Sequence, residues 1–172
     1  MLEVWDVYDR NLNKIGKDCI RGQERLGEGE YHLIVNAIIL NDKGQILIAK
    51  RAENRKNGLK WELTGGSVKK DETSVDGMKR ELFEEIGLDV EKDNAILYKT
   101  VISDTYHDIK HMWLFKKNVD IEKEIKFNDG ETIDAKYVGV DEYKSMQSAG
   151  EVIKEIDLTE KDFEFILNKY NK

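Results

Sequence analysis

Apolar and polar positions alternate along the chain in segments typical of β-strands. Residues 31–40, YHLIVNAIIL, are mostly apolar and rich in β-branched side chains, which predicts a buried strand. Residues 41–44, NDKG, predict a hairpin turn, and residues 45–51 predict the returning strand. Further strands are predicted at 2–8, 61–63, 95–103, 110–117 and 133–140.

The helical period predicts helices at 73–86, near 141–147 and at 159–170. The polar residues 17–30 indicate a loop or a broken helix. Strands and helices in this order predict an α/β (α+β) fold with a mixed sheet, because a regular βαβ repeat is absent from the pattern.

The helix predicted at 73–86 has recognisable ends and two distinct faces. Thr73 with Asp76 resembles a capping box, and Gly87 is suited to end the helix. At about 100° per residue, one face is an apolar stripe and an adjoining face is acidic. The stripe consists of Val75, Met78, Leu82 and Ile86, and the acidic face consists of Glu81, Glu84 and Glu85.

The three glutamates lie where a helix disfavours them. A helix C-terminus carries partial negative charge, and Glu81 and Glu85 repel each other at i,i+4 spacing. A divalent cation such as Mg²⁺ or Mn²⁺ would offset this repulsion. A solvated acidic face is the alternative, and the helix taken by itself favours that alternative.

Composition narrows the functional classes. The chain of 172 residues has a net charge of −7, which argues against broad binding to nucleic acid or to membrane surfaces but leaves room for a small anionic ligand. A single cysteine, Cys19, excludes an intramolecular disulfide and suits a reducing compartment. We therefore expect a cytoplasmic protein with one domain over 1–172, in which 1–30 is an N-terminal strand and loop extension.

The segment around the glutamates resembles a known family motif. From Gly66 the chain has five residues, Glu72, seven residues, Arg80-Glu81-Leu82, one residue, Glu84-Glu85, one residue and Gly87-Leu88. This is similar at every specified position to the 23-residue Nudix box, GX5EX7REUXEEXGU, in which U is aliphatic.

The resemblance implies a fold, an activity and a cofactor. The Nudix fold is an α/β/α sandwich with a mixed sheet between helices. Its enzymes hydrolyse a diphosphate linkage, commonly in a nucleoside diphosphate joined to another group X, with divalent cations such as Mg²⁺ or Mn²⁺.

Carried onto this chain, the resemblance also implies roles for individual residues. Glu81, Glu84, Glu85 and the carbonyl oxygen of Gly65 match metal ligands. Arg80 matches the arginine that pairs with Glu72 and fixes the loop to the helix, and a direct catalytic role for Arg80 is the alternative. Gly66 and Gly87 match positions where a side chain would interfere.

Other site residues are less specified. Glu81 is the first candidate for the general base, and Glu131 is the second, although Glu131 also suits a surface turn with Asp129 and Gly130. Lys50 and Arg51 could bind phosphate oxygens or be solvated charges. Trp61 could stack on a base, but core packing is favoured.

Two other functions and several properties stay open. The start of the chain resembles the isopentenyl-diphosphate isomerase-like branch, but no cysteine occurs at 63–66 and the box is complete, which favours hydrolysis. A non-catalytic nucleotide-binding module is a further alternative. The expected partner is a small diphosphate compound, commonly a nucleotide, without nucleic acid or membrane. A homodimer is an additional expectation, and the substrate remains open.

Overall fold

The computed structural model describes residues 2–128, 130–154 and 158–170, and only the backbone of residues 169 and 170. The strands are β1 Val4–Tyr8, β2 Lys14–Ile20, β3 His32–Leu40, β4 Ile46–Arg51, β5 Trp61–Glu62, β6 Gly65–Ser67, β7 Ile96–Ser103, β8 Asp108–Lys116 and β9 Thr132–Val138. The helices are α1 Ser74–Ile86, α2 Ile121–Glu124, α3 Val140–Ser148 and α4 Glu160–Tyr170, with a short 3₁₀ helix at Lys92–Asn94.

The main sheet is mixed and centres on β3. Its strand order is β5-β4-β3-β8-β7, and β3 runs parallel to β8 but antiparallel to β4. Strands β3 and β4 pair at Leu40 and Ile46, next to the turn that joins them. Away from this turn β3 pairs with β6, and β4 pairs with β9 along its length. This divergence brings the Gly65–Ser67 strand beside the middle of the sheet.

Two apolar cores cover the two faces of the main sheet. Met78, Leu82 and Ile86 of α1 are fully buried against one face. On the other face, α3 and α4 contribute Tyr143, Met146, Phe163 and Ile166 to a second core. The predicted sandwich of helices around a mixed sheet is therefore confirmed.

The N-terminal region differs from the prediction. The prediction of a loop or broken helix is wrong for residues 17–20, because β2 extends to Ile20 and forms a two-stranded hairpin with β1. Most β2 side chains are exposed, so this strand lacks the apolar alternation that identifies strands in a sequence. Cys19 accordingly lies in a strand, where it is buried, and not in a loop.

The other predicted strands and helices are present with shifts of one or two residues at their ends. Strand β6 and the one-turn helix α2 were not predicted. In the predicted turn at 129–131, Asp129 lies outside the described residues. The boundaries of the single domain remain a prediction.

Candidate active site

Helix α1 begins and ends as its sequence predicts. The Thr73 side chain accepts a hydrogen bond from the backbone N–H of Asp76. Gly87 has φ = 68°, a left-handed conformation that glycine adopts without strain, and its N–H donates to the carbonyl of Phe83. These ends fix which residues occupy the last turns, where the acidic face lies.

Arg80 is the centre of the acidic face. Its Nε and Nη2 donate to the two carboxylate oxygens of Glu72, at 2.7 and 2.9 Å, so the expected pair is present and bidentate. Its Nη1 donates to Glu81 at 2.6 Å and to Glu84 at 3.0 Å. Nη2 also donates to the carbonyl of Ser67 at 2.8 Å. One guanidinium therefore joins the loop of the box to two of its helical acids.

Glu81 is held between Arg80 and the glycine loop. A Cβ atom added at Gly66 would lie 2.4–2.6 Å from the Glu81 carboxylate, so only glycine permits this approach. Burial raises the pKa of Glu81, while the adjacent Arg80 opposes that rise. A carboxylate with a raised pKa is suited to accept a proton.

Gly65 is packed more tightly than Gly66. A Cβ atom at Gly65 would lie 2.0 Å from the carbonyl oxygen of Val35 and 2.5 Å from Nδ2 of Asn36. Because both Gly65 and Gly66 pair with β3, the loop before α1 is fixed on the sheet.

The remaining acids of the box differ in exposure. The Glu84 side chain is 45% exposed and contacts Lys69 as well as Arg80, whereas Glu85 is only 7% exposed. Within the described residues, no group of three or more His, Cys, Asp or Glu side chains surrounds a common point. Arg80 lies between Glu81 and Glu84 instead. The donor chemistry nevertheless suits Mg²⁺ or Mn²⁺, since the candidate ligands are all oxygens on one helix end and the preceding loop.

A cleft of about 820 Å³ opens beside this loop. Gly65, Gly66 and Ser67 form one wall, and strands β3, β7 and β8 contribute to the floor. The lining is mixed, with cations (Arg51, Lys56, Lys110), carboxylates (Glu62, Asp104, Asp108) and the exposed ring of Tyr106. Such a surface suits a charged ligand with a polar substituent.

The two cations proposed for phosphate binding are placed differently. Arg51 lines the cleft, where it donates to Glu62 at 2.6 Å and to the carbonyl of Lys56 at 3.0 Å. Lys50 instead lies over the ring of Trp61, at 5.5 Å from its centroid, and is not among the cleft-lining residues. Trp61 is buried in the core, as favoured from the sequence.

Glu131, the second candidate base, lies just before β9. Its carboxylate contacts Arg55 at 2.8 Å, and its backbone carbonyl accepts a hydrogen bond from Ala52. Neither Glu131 nor Glu81 is among the cleft-lining residues, but the Glu81 carboxylate lies against Gly66, which forms part of the cleft wall.

Three polar residues of the cleft were not identified from the sequence. Glu62 is buried, and burial raises its pKa despite the Arg51 guanidinium. His32 and Asp108 meet only because β3 and β8 pair across 75 intervening residues. For Glu62, its position between two apolar residues, Trp61 and Leu63, was the sequence feature that could have indicated a buried charged residue.

The N-terminal hairpin contacts the box loop. The Lys70 N–H donates to the carbonyl of Val4 at 2.8 Å, and the Asp71 N–H donates to the Asp6 carboxylate at 2.9 Å. The hairpin therefore supports the loop that carries Glu72. None of the helices in the described part of the chain is long and apolar enough to cross a membrane.

Comparisons with known proteins identify relatives in sequence. A family model described as NUDIX domain matches residues 30–156. An uncharacterized Nudix hydrolase of Listeria monocytogenes is 34% identical over 157 residues, which cover 88% of this chain and 89% of that protein. An RNA pyrophosphohydrolase of Actinobacillus succinogenes is 36% identical over 110 residues, covering 55% of this chain and 53% of that protein.

Solved structures share the fold at lower sequence identity. A protein from Deinococcus radiodurans matches with a TM-score of 0.71 and 20% identity, over 96% of this chain and 98% of that one. A bifunctional NMN adenylyltransferase/ADP ribose pyrophosphatase from Francisella tularensis, complexed with AMP and a Mn ion, matches with a TM-score of 0.56 and 19% identity. That match covers 81% of this chain and 42% of the other.

Proposed function

The chain belongs to the Nudix hydrolase family, and from that premise we propose that it hydrolyses the diphosphate linkage of a nucleoside diphosphate joined to another group. The observation that carries this proposal is the Arg80 network. It holds Glu72, Glu81 and Glu84 together beside the glycine loop that forms a wall of the cleft.

The proposed chemistry follows from what a diphosphate requires. Attack by water on phosphorus needs a proton acceptor and groups that hold the phosphates in line. We assign proton acceptance to Glu81, because Arg80 and Gly66 fix its carboxylate and burial raises its pKa. Arg51, which lines the cleft, is the candidate to bind a phosphate oxygen.

We further propose that Glu81, Glu84, Glu85 and the carbonyl oxygen of Gly65 hold Mg²⁺, or Mn²⁺ in its place. A divalent cation, when bound, supplies charge neutralisation at the phosphate oxygens. The Glu85 carboxylate is buried and lies on the same helix end as Glu81 and Glu84, so a cation bound there would also offset the repulsion among the three like charges.

Isomerase chemistry of the isopentenyl-diphosphate kind is less well supported. Cys19 lies in β2, where burial raises the pKa of its thiol, and it does not line the cleft. A raised pKa disfavours the reactive thiolate. The geometry thus supports the hydrolase over this alternative, and the complete set of box acids disfavours a non-catalytic binding module.

The substrate, partners and location are proposals of the same kind. We propose that the substrate is a small diphosphate compound, with a nucleotide as the primary candidate. We also propose a cytoplasmic location and a homodimer as the assembly. Because some relatives are named RNA pyrophosphohydrolases, RNA carrying a 5′-triphosphate is included among the compounds to test, although the net charge of −7 disfavours a nucleic-acid partner.

A substrate panel tests the proposed function. Wild type would be incubated with Mg²⁺ or with EDTA and with nucleoside triphosphates, ADP-ribose, nucleotide sugars, dinucleoside polyphosphates and 5′-triphosphate RNA, and the products would be separated. We expect metal-dependent cleavage within a diphosphate linkage, lost at least about a hundredfold in Glu84→Gln and Glu85→Gln. Nucleotide binding without turnover of any compound would contradict the hydrolase and favour the binding module.

A further inference from the structure

One end of the cleft floor has a row of polar residues across three strands. His32 of β3 pairs with Asp108 of β8, and Asp108 pairs with Ser103 of β7. Directly paired residues point to the same side of a sheet, and all three line the cleft. The next row toward the box contains Ile34, Lys110 and Val101.

The His32 ring is fixed in one orientation. Trp5 stacks on it with ring centroids 4.2 Å apart and an interplanar angle of 13°. Its Nδ1 lies 3.1 Å from the carbonyl oxygen of His107, and since a carbonyl can only accept, Nδ1 carries the proton. Burial lowers the pKa of His32, which favours the neutral ring. Nε2 is then a hydrogen-bond acceptor, and no described residue donates to it.

Asp108 supplies a second acceptor beside it. Its side chain is half-buried, and no described residue donates a hydrogen bond to the carboxylate. Burial raises the pKa of Asp108, while Lys110 and His32 act in the opposite direction. On paired strands the Cα atoms of His32 and Asp108 are about 5 Å apart, so one small group can reach both side chains.

Two neighbouring acceptors select a particular chemistry. A phosphate has no donor to offer them, and a hydrocarbon would leave them without hydrogen bonds on burial, which is unfavourable. Adjacent hydroxyl groups of a sugar offer donors at short spacing, and a carboxylate is a known partner for ribose hydroxyls. The row lies four residues along β3 from Asn36, which pairs with Gly65, so about 13 Å separates the two ends of the cleft.

We propose that His32 and Asp108 bind the hydroxyl groups of a sugar in the substrate, with ribose as the primary candidate. This inference rests on the proposed hydrolysis of a nucleoside diphosphate and adds the residues that would bind the sugar of that substrate. The substrate is then a diphosphate with a hydroxylated sugar, and not an isoprenoid diphosphate.

The test compares matched substrates on matched variants. ATP, 2′,3′-dideoxyATP, ADP-ribose and isopentenyl diphosphate would be assayed with Mg²⁺ on wild type, Asp108→Ala and His32→Phe, which keeps an aromatic ring against Trp5. Asp120→Asn, a surface carboxylate paired with Lys123, is the control. Thermal melts would confirm that each variant is folded.

We expect wild type to prefer ATP over 2′,3′-dideoxyATP by at least about tenfold in kcat/KM, mainly through KM. Asp108→Ala and His32→Phe should lose most of this preference by slowing only the hydroxylated substrates, and Asp120→Asn should retain it. Equal losses on ATP and its dideoxy analogue would overturn the sugar site, as would faster cleavage of isopentenyl diphosphate than of every sugar-containing compound.

The outcomes also separate this inference from the proposed function. Preferential cleavage of isopentenyl diphosphate would leave diphosphate hydrolysis intact, but it would remove both the sugar site and the nucleoside from the proposed substrate. If wild type cleaved nothing, the hydrolase would fail, and calorimetric binding of AMP and 2′,3′-dideoxyAMP would decide the sugar site. Weaker binding of the dideoxy compound by wild type, but not by Asp108→Ala, would support it, and equal binding by wild type would overturn it.

Discussion

On opposite faces of the main sheet lie two carboxylate centres whose pKa values are shifted in opposite directions. Asp162 of α4 is 2% exposed and accepts hydrogen bonds from Thr159, at 2.6 and 2.7 Å, from Tyr98, and from Lys99 at 2.9 Å. Burial acts to raise its pKa, but these donors outweigh burial and lower the pKa to about 2. In contrast, burial raises the pKa of Glu81, which shares Arg80 with Glu72 and Glu84.

The difference separates a structural carboxylate from the carboxylates that we propose to be functional. At Asp162 the surrounding donors stabilise the charge, so this residue connects α4 to β7. At the end of α1 the single guanidinium of Arg80 donates to three glutamates, and burial still disfavours the charged form of Glu81. Perturbed carboxylates of the second kind are typical of functional sites. Substitutions at the two centres should therefore separate activity from stability.

The largest expected effect is on activity at Glu81. Glu81→Gln should lower kcat by about a thousandfold, because a glutamine cannot accept the proton from the attacking water. Glu131→Gln, whose side chain contacts Arg55 at 2.8 Å, should change kcat by less than about fivefold. Single-turnover rates with the best substrate of the panel would measure both. A larger loss for Glu131→Gln would reverse the assignment of the base.

The next effect is on stability at Arg80. Arg80→Gln leaves Glu72 and Glu81 partly buried without their cation, and should lower the free energy of unfolding by about 3 kcal/mol. Urea titrations in EDTA would measure this loss. Lys79→Gln is the matched control, since Lys79 pairs with Asp89 at the surface and its removal should have a much smaller effect. Similar losses of unfolding free energy in the two variants would show that the Arg80 network contributes no more to stability than a surface ion pair.

A smaller effect is expected at Asp162, and it should depend on pH. Because the folded-state pKa is lowered from 3.8 to about 2, the ionised carboxylate contributes about 2 kcal/mol of stability above pH 3.8. This contribution is lost as pH falls through about 2. Asp162→Asn should therefore be destabilised at pH 7 and progressively less so below pH 3.8, with kcat at pH 7 nearly unchanged. A destabilisation independent of pH would contradict the lowered pKa.

Local signals explain why the box helix could be predicted from sequence. Thr73 and Gly87 mark its ends within a few residues of the periodic stripe, and these ends determine where Glu81, Glu84 and Glu85 lie. The number of acids that Arg80 contacts was not predictable, because it depends on side-chain geometry as well as on spacing. The pairing of Arg80 with Glu72 could be expected from the sequence only through the family resemblance.

Long-range pairing explains what could not be predicted. His32 and Asp108 carry no motif, and they become neighbours through the parallel pairing of β3 with β8. Strand β2 was missed because one exposed hairpin needs no apolar alternation. Lys50 and Arg51 are adjacent in sequence, but Lys50 lies over the ring of Trp61, and of the two only Arg51 lines the cleft. The register of β4 with β9 shifts between these two residues, which the sequence does not indicate.

The central claim is that the acidic face of α1 binds a divalent cation, and calorimetric titration with Mn²⁺ tests it most directly. The titration would compare wild type, Glu85→Gln and Glu122→Gln, a control on α2. We predict that Glu85→Gln weakens Mn²⁺ binding at least about tenfold, while Glu122→Gln binds as wild type does. Equal Mn²⁺ affinity in Glu85→Gln and wild type would contradict the claim.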